Sequence, residues 1–430
     1  MHLPYIDTFI LINSKFVKRV SGGYNHEVYK LSERIKTLPV SSIRQLIPLS
    51  IAAKKDGVKV LHLNIGDPDI KTPKVMLDVL RNWEIETIRY SDSKGEPPTL
   101  AALENYYHRL GFKAIKEENI LVTVGGSEAV VMSLFAVASP GDEVLVFEPF
   151  YSNYAALAHF SGVKLVGIPT AIKDGFHLPA KLEIEKAITK KTKAILFCSP
   201  NNPTGAIYSR KEVQVLVEVA KNHDLFLISD EVYREFIFDK TIHTSILDFL
   251  DQIPNQIILL DSLSKRYSLC GARIGLVASL NKEVIAGVTK IAKSRLSAGL
   301  IEQLMAAKLT RVPVSYTKAV IAEYKKRREV VFIGLSKIKG VFLTKPEGAF
   351  YAMVSLPVKD AEDFCRFLLT DFRLNNTTVM LAPGAGFYLT ANQGLDQVRI
   401  AYVLNTKDLD KSIKIIEAGL TAYRLKAGLA

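Results

Sequence analysis

The chain has 430 residues, 48% of them hydrophobic and 23% charged, a balance that suits a folded protein with a large buried core and roughly two or three domains. Its formal charge is +12, from 56 basic and 44 acidic residues. The cysteines Cys198, Cys270 and Cys365 are too few and scattered for a disulfide framework or structural zinc, no apolar stretch approaches the roughly 18 residues of a membrane span, and a reducing, cytoplasmic setting is expected with neither metal nor membrane partner.

Residues 1–30 read as an N-terminal extension. They hold a short apolar run, Phe9 to Ile12, and basic Lys15, Lys18 and Arg19, without a signal-type apolar core or small-residue cleavage site. Residues 31–80 mix helical and strand patterns and are grouped with 315–430 as one smaller α+β domain, leaving 81–314 as the larger domain. From Ile120 to Ser279 short apolar runs alternate with helix-length amphipathic segments, the pattern of an α/β layer fold. Seven strands are expected: Ile120 to Val124, Glu143 to Glu148, Lys164 to Thr170, Ala194 to Ser199, Leu225 to Asp230, Ile257 to Ser262, and Arg273 to Ser279. Most gaps hold a crossover helix, and Ser209-Arg210-Lys211-Glu212 has capping-box form. The last gap, 263 to 272, is too short for one, so the seventh strand should run antiparallel to the sixth. The fold class expected is α/β, a three-layer α/β/α domain with a mostly parallel seven-stranded sheet, one strand antiparallel, plus the smaller domain.

Beyond the sheet, Val320, Ile321, Tyr324, Val331 and Leu335 follow helical spacing between Val314 and Lys337. The basic run Lys325-Lys326-Arg327-Arg328 then falls on a solvated helix face, and with no RRM, KH or zinc-finger pattern no nucleic-acid partner is expected. Gly348 to Tyr351 and Val398 to Val403 are further strand candidates.

The polar motifs follow the carboxyl ends of strands, where open α/β sheets bind ligands. Gly125-Gly126-Ser127 follows the first, Phe150-Tyr151 the second, Asn201-Asn202-Pro203-Thr204-Gly205 the fourth, Asp230 and Tyr233 the fifth, and Ser264-Lys265 the sixth. Lys265 lies among Ser262, Ser264, Gly271, Arg273 and Gly275, a setting that holds a phosphate beside an amine. A lysine that forms a Schiff base with pyridoxal 5'-phosphate needs such donors and a distant carboxylate for the ring nitrogen, which Asp230 supplies. In this reading Gly125, Gly126 and Ser127 meet the phosphate at the start of the helical run Glu128 to Ala138, and Ser262, Ser264 and Arg273 complete the cup. Asn202 and Tyr233 reach the phenolic oxygen, Tyr151 stacks on the ring, and Arg399 reads a substrate α-carboxylate. Each residue alone has an ordinary structural reading: a helix cap for Ser127, a polar strand end for Asp230, an edge-strand surface arginine for Arg399.

Taken in order, Asn64-Ile65-Gly66-Asp67-Pro68-Asp69, Tyr90 with Gly95, Gly125 to Ala129, Ser199 to Gly205, Asp230 to Tyr233, the Lys265 block and Arg399 resemble a fold-type I, class I pyridoxal-phosphate aminotransferase of the aspartate aminotransferase superfamily. The resemblance runs from about Leu31 to Leu420. It implies a homodimer with shared active sites, Tyr90 reaching the neighbouring subunit's phosphate, Gly66 at the substrate's entry, and Lys265 as imine lysine and proton shuttle. Asp230 and Tyr233 join Lys265 as its catalytic residues. The reaction implied is ping-pong transfer of an amino group between an L-amino acid, first aspartate or glutamate, and a 2-oxo acid such as 2-oxoglutarate. Arg295 is the candidate for a second substrate carboxylate, while Ser127 stands where bacterial aspartate-specific members carry a lysine, leaving other donors open. The same fold also hosts β-lyases, decarboxylases and cyclopropane-forming synthases, and non-enzymatic regulators.

Overall fold

The computed structural model describes residues 31–39, 41, 43–426 and 428; the expected extension, residues 1–30, lies outside them. The described residues divide into two units, one up to Leu38 and one from Pro39 onward. In the first, the described residues form one helical turn, Glu33–Lys36.

The second unit carries strands β1 (Lys59–His62), β2 (Ile120–Val124), β3 (Glu143–Glu148), β4 (Lys164–Pro169), β5 (Thr192–Cys198) and β6 (Phe226–Asp230). These are followed by β7 (Ile257–Ser262), β8 (Ile274–Ala278), β9 (Tyr351–Ser355), β10 (Thr377–Met380), β11 (Ala382–Pro383) and β12 (Gln397–Ala401). Strands β2 to β8 make one seven-stranded sheet in the order β2-β8-β7-β6-β5-β3-β4. Neighbours run parallel from β7 through β4, and β8 is antiparallel to both β7 and β2. The expected antiparallel strand is therefore present, for the expected reason: the link from β7 to β8 holds only a helical turn, Leu263–Arg266, and a 3-10 turn, Cys270–Ala272.

Alternate residues of these strands supply two apolar layers. Leu145, Phe147, Ile195, Leu227 and Leu259 pack into one cluster, while Val144, Val146, Leu196, Ile228 and Leu260 pack into another. Near-continuous apolar strands are what a parallel sheet covered on both faces requires. The predicted capping box at Ser209 starts helix Arg210–Asn222, with the Ser209 hydroxyl and the Glu212 side chain each meeting the other's backbone amide. The helix after β2 begins at Gly125 rather than Glu128 and runs to Val137.

Outside this sheet, β1 pairs with β10, and β9, β12 and β11 form an antiparallel trio. A third cluster packs these strands against helices Val314–Leu335, Ala361–Thr370 and Thr406–Lys426. The candidate strand at Gly348 starts at Tyr351, and the one at Val398 ends at Ala401.

One expectation is corrected. Lys325 and Lys326 are exposed, but Arg327 and Arg328 are buried, so the basic run is not a solvated face. Arg327 donates to Asp69, to Glu323 and to the Val403 carbonyl; Arg328 donates to Asp239 and to the Pro346 carbonyl and stacks 4.8 Å above the Phe238 ring. A four-residue run on a helix wraps more than one face, and these guanidiniums find acceptors that the tertiary fold brings up from distant loops. Arg328→Ala is expected to lower unfolding free energy by about 2–4 kcal/mol through lost packing and hydrogen bonds, and Lys326→Ala to change it by less than about 0.5 kcal/mol. Urea titration of the two variants checks the contrast.

Candidate active site

The parallel strands end at a common edge, and a cavity opens there, lined by Gly66, Gly126, Ser127, Tyr151, Asn202, Asp230, Tyr233, Ser262, Ser264, Lys265, Arg273 and Arg399. Five separate strand ends, together with β12 and the segment after β1, thus bring these side chains to one place. Three predicted residues are not in the lining. Gly125 lies just behind it, where a Cβ would collide with the Arg273 guanidinium. Tyr90 is 83% exposed and outside this cavity. Arg295 also lies outside this cavity; it pairs with Glu128 at 3.1 Å and donates to the Val122 carbonyl. Helix Lys282–Arg295 packs on the helix after β2, and its last turn finds a nearer acidic partner there.

Lys265 sits in the helical turn that follows β7. Its Nζ donates to the Gly66 carbonyl at 2.8 Å and lies 3.6 Å from Cys270 Sγ. Burial opposes its charge, but Tyr351, Cys270, Tyr151 and Asp67 outweigh that and hold its pKa above the ordinary lysine value. A buried ionic cluster fixes the turn from below. Arg266 pairs with Asp261, which accepts from the Tyr107 hydroxyl at 2.8 Å, and the Arg266 guanidinium lies 4.6 Å over the Tyr106 ring.

Two adjacent acids at the end of β6 meet opposite fates. Glu231 is fully buried, and although burial opposes its charge, His243 and Arg234 pull its pKa down to about 2. Asp230 receives the Tyr154 hydroxyl at 2.5 Å and the Val232 amide at 3.2 Å, neither of them a cation, and burial pushes its pKa up to about 6.

On the far side, Arg399 is 1% exposed. Its Nη1 donates to Asn202 Oδ1 at 2.9 Å, its Nη2 donates to the Asn64 carbonyl, and its Nε has no partner. The guanidinium lies 4.5 Å over the Tyr351 ring and 5.0 Å over Phe387, and burial lowers its pKa. The Tyr233 and Tyr351 hydroxyls are 3.0 Å apart, with Asn202 Nδ2 3.5 Å from Tyr233. A Cβ on Gly66 would overlap the Tyr351 hydroxyl.

The third corner is built for an anion. The N-terminal turn of helix Gly125–Val137 faces the cavity through Gly126 and Ser127. Ser262 and Ser264 hydroxyls lie 2.8 Å apart, and Arg273 Nη1 reaches 3.5 Å from Ser264 Oγ. Arg273 adopts φ +53°, an uncommon left-handed conformation for a side-chain-bearing residue, which turns it back toward Cys270. Gly275 permits this closeness, since its Cβ would meet the backbone of Gly125 and Gly126.

Tyr154 and Tyr351 were not singled out as site residues from the sequence. Tyr154 follows Tyr151 at helical spacing, a weak signal; Tyr351 read only as part of a strand.

Such a site, a buried lysine amine beside an anion cup and an unpaired buried carboxyl at the edge of a three-layer α/β/α sheet, defines a pyridoxal-phosphate enzyme of fold type I. The family model for aminotransferase class I and II matches residues 58–416. An aspartate aminotransferase of Thermotoga maritima is 32% identical over 392 residues, covering 90% of this chain and 98% of the relative. Among solved structures, aspartate aminotransferase from Thermus thermophilus with maleate superposes with TM-score 0.81 at 26% identity, covering 91% of this chain and 100% of that one. An alanine aminotransferase from Pyrococcus furiosus gives TM-score 0.82 at 28% identity with the same two coverages. The chain belongs to the class I and II aminotransferase family, and it is a pyridoxal-phosphate-dependent transaminase acting between amino acids and 2-oxo acids. Lyase, decarboxylase, synthase and regulator readings are not favoured.

The residues present fit the cofactor. Asp230, short of a protein cation, matches a protonated ring nitrogen; the glycine-lined helix start, the serines and Arg273 match a phosphate; and Lys265 Nζ lies within the same cavity. The sign of the resulting pH dependence follows from the raised pKa. Native Asp230 titrates near 6 against an ordinary 3.8, so the native state binds more protons in that window and stability falls as pH rises through it. Cofactor-free protein is expected to lose on the order of 3 kcal/mol through Asp230 between about pH 4 and pH 7. Asp230→Asn should remove that component, as should added pyridoxal phosphate in the wild type, whose ring cation compensates the carboxylate. Denaturation curves at both pH values check it, and an unchanged slope in the Asn variant contradicts it.

Proposed function

We propose that this transaminase moves the amino group of a dicarboxylic amino acid, aspartate or glutamate, to 2-oxoglutarate or another 2-oxo acid in two half-reactions that share one site. The names of the relatives support the donor; the observation that carries the residue roles is the cavity's arrangement of charge. Asp230, Arg273 and Arg399 each face the cavity without an ionic partner among the described residues, around the one lysine amine.

Bound pyridoxal phosphate supplies a carbon that accepts the amino group and a ring that takes up the electron pair released at the substrate Cα. Arg399 binds the α-carboxylate, with its fork already oriented by Asn202 and Asn64 and its faces covered by Tyr351 and Phe387. Lys265, held on a turn pinned by Arg266 and Asp261, removes the Cα proton once its amine is neutral. Asp230, held in place by the Tyr154 hydroxyl, would keep a positive charge at the ring nitrogen. Tyr233, Asn202 and Tyr151 line the same cavity, where Tyr233 and Asn202 would donate to the cofactor's phenolic oxygen and Tyr151 would pack on its ring.

A homodimer with shared active sites belongs to this reading, supported by the 83% exposure of Tyr90, which leaves its hydroxyl for a neighbouring subunit's phosphate. A cytoplasmic location also belongs to it, supported by the free cysteines Cys198, Cys270 and Cys365; among the described residues no helix is long and apolar enough to cross a membrane.

Lys265→Ala is expected to abolish turnover, by at least about 10³-fold, while the protein still binds pyridoxal phosphate noncovalently. Stopped-flow kinetics and equilibrium dialysis measure both, and full activity in the variant overturns the assignment. Sedimentation should give the mass of two chains, and Tyr90→Ala should weaken cofactor retention about tenfold through one lost phosphate contact; a monomeric active enzyme contradicts the shared site.

A further inference from the structure

Four cations line the cavity, Arg44, Lys265, Arg273 and Arg399, against the single carboxyl of Asp230. Three have roles in the reading above: Arg273 with the phosphate, Lys265 with the reacting carbon, Arg399 with the α-carboxylate. Arg44 is left over. It lines the cavity yet is exposed, and among the described residues no carboxylate lies within ion-pair distance of it. Ser127, after the paired glycines, carries no charge, and Arg295 lies outside the cavity paired with Glu128, so neither supplies a cation to this cavity from the same chain.

The backbone around Arg44 is not loose. Asn64 donates through Nδ2 to the Ile43 carbonyl at 2.9 Å, and the carbonyl of the same Asn64 accepts from Arg399. Ile43 packs with Phe387, whose ring lies beneath the Arg399 guanidinium. On the other side Gln45 Nε2 donates to Glu362 at 2.9 Å. One asparagine and one phenylalanine therefore tie the turn bearing Arg44 to Arg399, while among the described residues no carboxylate pairs with the Arg44 side chain.

Resting on the transaminase reading, we propose that Arg44 binds the distal carboxylate of dicarboxylic substrates and sets the preference for them over neutral amino acids. An arginine fork suits a carboxylate, and a second, exposed cation also draws doubly charged substrates from solution. Because the side chain is solvent-exposed before binding, its contribution weakens with added salt.

The test compares wild type, Arg44→Met and Arg44→Lys as pyridoxal-phosphate holoenzymes, with aspartate, glutamate and alanine as donors, and titrates maleate by calorimetry as a probe independent of turnover. Arg44→Met should lower kcat/KM for aspartate and glutamate by about 10–100-fold, chiefly through KM, and weaken maleate by about tenfold. Alanine should change by less than about twofold, and Arg44→Lys should recover part of the loss with the dicarboxylates. An unchanged aspartate-to-alanine ratio, with maleate affinity retained, overturns the role of Arg44 while leaving the transaminase reading intact. A wild-type holoenzyme that turns over no donor overturns that reading and the inference with it.

Discussion

Asp230 and Arg399 are buried at the cavity without ionic partners among the described residues, and much of the site's design answers to that. An unpaired charge held out of water costs several kcal/mol unless something compensates it. Glu231, one residue on, shows the usual solution, with His243, Arg234, Ser245 and a backbone amide gathered around it. Asp230 receives a hydroxyl and an amide instead, and Arg399 receives neutral oxygens and aromatic faces. Both are oriented and left unneutralised, which suits groups whose counter-charges arrive with cofactor and substrate.

The fold makes this tolerable by holding each group on a stiff support. Parallel pairing from β4 to β7 brings the ends of β3, β5, β6 and β7 to one edge, and the helix after β2 presents its N-terminal turn there. The antiparallel β8 matters as much, because its start delivers Arg273 and Gly275 to the same edge. A crossover helix in place of the short β7–β8 link would have lain on a face of the sheet and made β8 parallel to β7, sending its start, with Arg273 and Gly275, to the opposite edge. The link instead carries Lys265, and the buried Arg266–Asp261 pair keeps that turn from swinging.

The large sheet was legible because its strands are continuous apolar runs bounded by turn residues, and because chain length alone decides between crossover and reversal for residues 263 to 272. The lining residues after strand ends were legible for a related reason: polar groups past buried strands have few other places to be. What periodicity could not supply was the partner of each charge. Arg328 looks like any residue of a basic run until Asp239 and the Pro346 carbonyl are brought to it, and Arg295 looks free until Glu128 is seen beside it. Tyr154 and Tyr351 were invisible as site residues because their roles depend on contacts across 76 and 118 residues of chain, to Asp230 and Tyr233.

The central claim is that the cavity performs an amino-transfer half-reaction. The most direct measurement is the absorbance of the pyridoxal-phosphate-loaded protein during addition of aspartate or glutamate with no oxo acid present. Conversion of the cofactor's spectrum to that of its amino form, with one equivalent of 2-oxo acid released and the change reversed by adding 2-oxoglutarate, is the result this account predicts. A cofactor spectrum that no amino acid alters, or a donor consumed with release of ammonia, would contradict it.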